Sequence, residues 1–220
     1  MSDSNPIYQL YFVNNSTMSG SACVYQQDPN IGVPNVMSLA WFAKAANPNT
    51  KLMFQWDITY NFVWSQTGVL IPGVIFWASE TVNADLSQNN KISFSYQNNA
   101  FTFKKPPTQG SQIGTIYIEQ DGTIPANTAS VGVGMSGSGT FAVQAQPNVL
   151  ATFTPHPEYW ITFGNYHQGQ VMDVGTITKA AKIDFPPNVY AMTATLKPDN
   201  TWLVTQGIPS LSNTLMLMEI

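Results

Sequence analysis

The chain has 220 residues, of which 44% are hydrophobic and only 9% are charged, and its formal net charge is −4 at pH 7. All eight basic residues are lysines, so the chain lacks the arginines that usually make bidentate contacts with phosphates and base edges. This composition argues against nucleic-acid binding and against attraction to an anionic membrane surface.

Solubility must come from amides and hydroxyls, because Asn and Gln together number 34 and charged residues number 20. A surface with so little charge repels its own copies weakly, which favours self-association. We therefore expect a homo-oligomer or a filament.

The sequence shows no targeting or membrane-spanning signal. No lysine precedes Lys44, so the basic region of a signal peptide is missing, and no run of 18 apolar residues occurs. Cys23 is the only cysteine, which excludes an internal disulfide. We expect no membrane span, synthesis in the cytoplasm, and any export by a route without a signal peptide.

Alternation of apolar and polar residues predicts an all-β fold: a single-domain antiparallel β-sandwich with about a dozen strands and at most one short helix. Tyr8–Val13 and Ala22–Gln26 are the first predicted strands. Met37–Ala46 is the one candidate for a short helix, since it contains good helix formers and Pro48 follows it.

Lys51–Trp64 shows the clearest alternation and predicts one strand of about 13 residues, which could bend between two sheets through a bulge. The expected core-facing stripe is Leu52, Phe54, Trp56, Ile58, Tyr60, Phe62 and Trp64. The opposite face is polar, with Gln55, Asp57, Thr59 and Asn61.

Further predicted strands continue to the end of the domain, and Asn98-Asn99 and Asp199-Asn200 mark hairpin turns. No repeat with a period of 20–50 residues is present. We predict one sandwich domain over residues 1–206 and an apolar C-terminal tail over residues 207–220. The strands are Val69–Trp77, Lys91–Tyr96, Ala100–Phe103, Ile113–Ile118, Ser130–Met135, Phe141–Ala145, Val149–Thr154, Tyr159–Phe163, Val189–Leu196 and Thr201–Thr205.

No pattern of residues indicates catalysis, a metal or a cofactor. His156 and His167 lie near Glu158 and Asp173, but their spacing fits no zinc motif. The glycine-rich segment Gly134–Gly139 has no following Lys-Ser/Thr pair and is best explained as a hairpin loop. We therefore predict a protein that is not an enzyme, without a cofactor. A glycoside hydrolase stays possible if two carboxylates face each other across a cleft.

Aromatic residues are plentiful, and most should lie in the core. Trp41, Trp77 and Trp160 are less clearly placed and are the possible ligand-facing residues, since sugars stack on exposed tryptophan rings. A glycan is the partner that such a surface would bind.

Several segments resemble the RhiA-like proteins, which are rhizosphere-expressed proteins of root-nodulating bacteria. The resemblance covers about Phe12 to Thr205, and the TPHPEYW block is its most specific part. It implies an abundant product under population-density (quorum) control that acts in plant–microbe interaction, and it implies no reaction. The matching segments are FVNNST (Phe12–Thr17), SLAWFAK (Ser38–Lys44), YNFVWSQTG (Tyr60–Gly68), VGVGMSG (Val131–Gly137), TFTPHPEYWITFGNY (Thr152–Tyr166) and PPNVYAMTATL (Pro186–Leu196).

Two functions follow from these observations. The first is a non-enzymatic, self-assembling structural protein, in which the tail pairs with a sheet edge of a neighbouring copy. The second is a lectin-like module that binds a glycan or another surface ligand. The glycoside hydrolase is a third hypothesis, and a membrane-active, toxin-like sandwich is a weaker fourth, since basic residues are scarce. The residues expected to drive assembly are Leu211, Leu215, Leu217 and Met218.

Overall fold

The computed structural model describes residues 5–27 and 32–209, and strands dominate this part of the chain, which confirms the all-β prediction. Helical structure in these residues is limited to one 3-10 turn at Val174–Thr176, and none of their helices could cross a bilayer. The first strands are β1 (Tyr8–Asn14), β2 (Gly20–Gln27), β3 (Met37–Ala46), β4 (Lys51–Trp56), β5 (Tyr60–Ser65), β6 (Glu80–Ala84), β7 (Lys91–Gln97) and β8 (Ala100–Thr108). The later strands are β9 (Ile116–Gln120), β10 (Ser130–Met135), β11 (Ser138–Gln144), β12 (Val149–Phe153), β13 (Glu158–Gly164), β14 (Val171–Met172), β15 (Ala180–Ile183), β16 (Ala191–Leu196) and β17 (Trp202–Gln206).

Three sheets make up the fold. The central sheet has nine strands in the order β15-β13-β2-β3-β11-β10-β5-β6, with β14 paired beside β3. The first outer sheet has the order β17-β16-β1-β4, and the second outer sheet has the order β12-β9-β7-β8. Most pairs are antiparallel, but β1 pairs with β16 and β7 pairs with β9 in parallel.

Both outer sheets cover the same face of the central sheet. In β5, Phe62 and Trp64 pack into a core shared with the second outer sheet, whereas Val63 packs into a separate cluster. In β2, Val24 packs into a core shared with the first outer sheet, whereas Cys23 lies in a cluster on the opposite side. Neighbouring residues of a strand point to opposite faces, so Val63 and Cys23 lie on the second face of the central sheet. Two loops cover this second face. These loops are residues 66–79 and 165–179.

Two predicted elements have a different secondary structure from the one expected. The short helix at Met37–Ala46 is wrong, because this segment is strand β3. It lies inside the central sheet and is apolar on both faces, so it lacks the alternation that identifies a half-buried strand. The strand at Val69–Trp77 is also wrong, because these residues form most of the loop between β5 and β6. Gly73 in this loop has a φ of 94°, which ends extended pairing.

The aromatic residues of the Lys51–Trp64 stripe face the cores as predicted, but they belong to two strands rather than one. The prediction is wrong for Ile58, which lies in the turn between these strands and is 40% exposed. Strand β4 lies in the first outer sheet and β5 lies in the central sheet, so Phe54 and Trp56 enter one core and Phe62 and Trp64 enter the other. Asp57 and Thr59 form the turn between the strands, with the Thr59 hydroxyl donating to the Asp57 carboxylate at 2.6 Å. The segment therefore links the two cores.

The chain contains two equivalent repeats, residues 8–108 and residues 116–206, each about half the chain. Residues Phe42–Asn49 read FAKAANPN, and Phe141–Asn148 read FAVQAQPN. Both segments run from the end of a hairpin into a turn, and both turns contain an asparagine in the left-handed region: Asn49 has a φ of 67° and Asn148 a φ of 58°. The hairpins β2–β3 and β10–β11 also carry a register shift in the same place.

Strand pairing follows the same equivalence. Strands β1 to β8 correspond in order to β9, β10, β11, β12, β13, β15, β16 and β17. When each strand is replaced by its counterpart, the strand order of the central sheet is reproduced from the opposite edge. The same replacement converts the order of one outer sheet into the order of the other. The molecule is therefore two sandwiches related by an approximate twofold axis. The first sandwich contains β1–β4, β13 and β15–β17, and the second contains β5–β12, so each one takes strands from both repeats.

A buried amide holds the corresponding turn in each repeat. Asn14 is fully buried at the end of β1, and its Nδ2 donates to the carbonyls of Met18 (2.9 Å) and Asn47 (3.1 Å). Gln120 is 2% exposed at the end of β9, and its Oε1 accepts a hydrogen bond from the Gln146 backbone N–H at 2.8 Å. Each amide fastens an outer sheet to the turn that leads out of the central sheet.

Asn14→Ala should lower the free energy of unfolding by about 1–3 kcal/mol, because it leaves buried backbone groups without their partner. Denaturant unfolding followed by tryptophan fluorescence measures the change. The matched control is Asn15→Ala at the exposed neighbouring position, which should change stability by less than about 0.5 kcal/mol. Equal losses in the two variants would show that the Asn14 amide does not hold the turn.

Candidate functional site

The central sheet opens between β3 and β11. The register between these strands covers only Phe141 with Ser38 and Ala142 with Met37. Beyond that point β14 takes the edge of β3, pairing Val171 with Leu39. Strand β11 therefore separates from β3 over its first residues, and a cleft of about 840 Å³ forms there. Its size is within the range of small-molecule sites.

Small residues make room for this cleft, which we call the β3–β11 cleft. The repeats read LAWFA at Leu39–Ala43 and SGTFA at Ser138–Ala142, so the second repeat has smaller side chains where the sheet opens. A Cβ at Gly139 would lie 3.1 Å from Leu39 Cδ1, which is a tight contact. The lining residues are Leu39, Trp41, Gly73, Ile75, Phe76, Trp77, Ala78, Gly137, Ser138, Gly139, His167, Gln168 and Gly169.

Trp77 lies in the wall of the cleft with 72% of its surface exposed. The backbone is fixed on both sides of it: the N–H of Phe76 donates to the Gly169 carbonyl, and the N–H of Ser79 donates to the Trp64 carbonyl, both at 2.8 Å. A tryptophan on an unrestrained loop would lower its free energy by packing its apolar ring against the protein surface. Here the loop holds the backbone in place, and the indole stays exposed.

Polar groups of the cleft carry no permanent charge. The Gln168 amide donates to the Ser138 hydroxyl at 3.3 Å, which connects loop 165–179 to the start of β11. The His167 backbone N–H donates to the Gln170 amide oxygen at 3.0 Å. His167 is the one titratable side chain among the lining residues, and no carboxylate or lysine is present. The cleft is suited to a neutral ligand with hydrogen-bonding groups.

The cleft exists on one side of the approximate twofold axis only. Loop 165–179 supplies β14, which pairs with β3 and fills the corresponding space. Loop 66–79 reaches the other loop instead: the Gly73 N–H donates to the Val171 carbonyl, and the Val171 N–H donates to the Val74 carbonyl. The two loops thus meet at the axis, and only the side toward β11 is left open.

The three tryptophans selected from the sequence lie in different environments. Trp41 has no exposed surface; its ring packs in the core, and its Nε1 donates to the Met135 carbonyl at 2.9 Å. Trp160 is half-buried beside Cys23 and Met172, on the loop-covered face of the central sheet. Trp77 is the exposed one.

The residues expected to drive assembly, Leu211, Leu215, Leu217 and Met218, lie outside the described residues.

The groups considered for chemistry are not brought together. Within residues 5–27 and 32–209, no three of the His, Cys, Asp and Glu side chains cluster closely enough to hold a metal ion. Gly134–Gly139 is the β10–β11 hairpin, as predicted. Cys23 is buried, and burial raises the pKa of its thiol far above the ordinary value, so the thiol stays protonated.

Sequence reasoning did not predict that Phe76, Gly139 and the segment His167–Gly169 line one cleft. The detectable signal is the comparison of LAWFA with SGTFA, which requires recognition of the long repeat first. A second signal is Trp77 itself, in a segment interrupted by Pro72 and Gly73.

Trp77→Phe should remove most of the tryptophan fluorescence that acrylamide quenches readily, because Trp77 is the most exposed described tryptophan. Trp160→Phe is the control and should remove a smaller share. Stern–Volmer plots of the native protein and both variants measure this. An unchanged accessible fraction in Trp77→Phe would mean that its ring is covered in solution.

Comparison with known proteins identifies the family. The RhiA family model matches residues 5–207. The chain is 41% identical over 198 residues to Protein RhiA of Rhizobium leguminosarum bv. viciae, a match that covers 89% of this chain and 84% of that protein. No solved structure matches the fold. The family model spans nearly all described residues and confirms the resemblance seen in the sequence, so the chain belongs to the RhiA family.

Proposed function

We propose that this protein is a non-enzymatic binding protein that takes a neutral, polyhydroxylated ligand, a glycan, in the β3–β11 cleft. The observation that carries the proposal is Trp77: an exposed indole, held by fixed backbone, in the wall of a cleft that has no charged side chain. The rhizosphere setting implied by the family favours plant or bacterial surface polysaccharides as the source of the glycan.

An exposed indole ring suits a sugar for an electrostatic reason. The face of an aromatic ring carries partial negative charge. The C–H groups of a pyranose are polarised by the neighbouring oxygens and carry partial positive charge, so a sugar ring attracts and desolvates the indole face. Buried apolar area adds to this attraction.

The remaining cleft groups suit sugar hydroxyls. Ser138 and Gln168 offer a hydroxyl and an amide, each able to donate and to accept. Their mutual hydrogen bond of 3.3 Å is long enough to be exchanged for bonds to a ligand. Because the lining has no arginine, lysine or carboxylate, it offers no permanently charged partner to a phosphate or an ammonium group.

Trp77→Ala should raise the Kd for a glycan by about tenfold, which corresponds to 1.4 kcal/mol. The experiment is a glycan array of plant and bacterial polysaccharide fragments, followed by calorimetry on the best binder. Tyr190→Ala is the control, since Tyr190 is an exposed aromatic outside the cleft and should leave Kd unchanged. The proposal fails if no glycan binds the native protein, or if Trp77→Ala binds as tightly.

Self-assembly is a second candidate, favoured by one difference between corresponding edge strands. Strand β8 carries Lys104, Lys105, Pro106 and Pro107, which obstruct pairing with another strand. Its counterpart β17 reads WLVTQ and has neither charge nor proline. The apolar tail follows β17 in the chain. We propose that Leu211–Met218 of one copy pairs with the β17 edge of another.

Deletion of residues 210–220 should convert oligomers into a folded monomer, because it removes the pairing segment and leaves Gly207, whose backbone is bonded to Ala191 and Thr193. Sedimentation velocity at high protein concentration measures the change. Replacing Leu211, Leu215, Leu217 and Met218 by serine at full length should have the same effect. A native protein that sediments as a monomer at high concentration contradicts this proposal.

A further inference from the structure

The two repeats are interleaved like the subunits of a strand-exchanged dimer. Every sheet is held together by pairs between a strand of residues 8–108 and a strand of residues 116–206. These pairs are β1–β16, β2–β13, β3–β11, β3–β14, β5–β10 and β7–β9. Removing one repeat would take strands out of all three sheets at once.

Neither repeat encloses a core alone. The core of the first sandwich needs Phe12 and Trp56 from the first repeat and Ile161 and Leu196 from the second. The core of the second sandwich likewise joins Phe62 and Phe94 to residues of β9, β10 and β11. Each repeat therefore presents a large apolar surface that is complementary to the apolar surface of the other repeat.

One covalent connection joins the repeats: residues 109–115, between β8 and β9. Asn90 is buried and holds this linker, with its Oδ1 accepting from the Gly110 N–H and its Nδ2 donating to the Gln112 carbonyl, both at 2.7 Å. In the first sandwich the corresponding place lies between the end of β17 and the start of β1. No peptide bond crosses there, because the two strands lead to the chain termini.

We infer that the surface which each repeat presents to the other is also a docking surface for the matching repeat of a second copy of this chain. The first repeat of one copy then pairs with the second repeat of another, and all contacts of the sandwiches are reproduced. Reciprocal exchange gives a closed dimer, and onward exchange gives an open chain of copies. This interface differs from the cleft and from the tail, so its failure would leave both proposals standing.

The length of the linker determines whether the two repeats pair within one chain or with the repeats of another copy. The linker steps from β8 across β7 to β9, and with strands about 4.8 Å apart the step is about 10 Å. The full linker spans this step easily. Deleting Gln109–Gly114 leaves Thr115 alone, and two peptide units reach only about 7 Å. The shortened chain cannot close within one copy without breaking pairs, whereas exchange between copies avoids the step.

Two cysteine pairs report which chain supplies each repeat. Ser93 in β7 lies opposite Glu119 in β9 of the other repeat, and opposite Lys104 in β8 of its own repeat. Ser93→Cys with Glu119→Cys forms a bond between chains only after exchange. Ser93→Cys with Lys104→Cys forms its bond within one chain in either state. Cys23 is buried and does not interfere.

The experiment places both cysteine pairs in the native and the shortened chain and analyses them on non-reducing gels and by size-exclusion chromatography. On the gels we expect covalent dimers or ladders for the shortened chain with the Glu119 pair, and single-chain bands for the Lys104 pair and for both native-length chains. On the column the shortened chain with either pair should elute as a dimer or larger. A folded, shortened monomer with an internal bond overturns the inference. If the shortened chain does not fold, the native-length chain refolded at high concentration is tested, and bonds confined to single chains there also overturn it.

Discussion

Strand pairing between the two repeats is the constraint on which the rest of the structure depends. Because β3 and β11 join the sandwiches into one central sheet, every layer above and below that sheet must fit both repeats at once. The outer sheets pack on one face and the two long loops on the other. This leaves the junction of the repeats as the place where small sequence differences change the shape of the surface.

The cleft results from a difference between structurally equivalent segments of the two repeats. Loop 165–179 adds strand β14 beside β3. Loop 66–79 bonds to loop 165–179 instead of to β11, and it leaves Trp77 exposed. Leu39 and Ser138 stand at the same place in the two hairpins, so the smaller side chain lies on the side where the sheet opens.

Much of the fold could be predicted from local pattern. Phe54, Trp56, Phe62 and Trp64 alternate, and all four face a core, because a half-buried strand imposes a period of two. Strand β3 could not be recognised in this way, since burial on both faces removes the period and leaves a helix-like run. The cleft depends on the pairing of Leu39 with Val171, which are far apart in the chain, so no local pattern contains it.

The parallel pairing of β1 with β16 has a consequence for biosynthesis. Strand β1 leaves the ribosome before the other described strands, and its parallel partner β16 is among the last of them. Strands β2 and β1 therefore wait with exposed apolar faces until the C-terminal strands are made, whereas β5–β12 are contiguous and can assemble earlier. Closing such long loops slows folding and prolongs the exposure of unpaired edges. The first sandwich can be completed only after β13 and β15–β17 have been made, whereas the second sandwich has all its strands once β12 has been made.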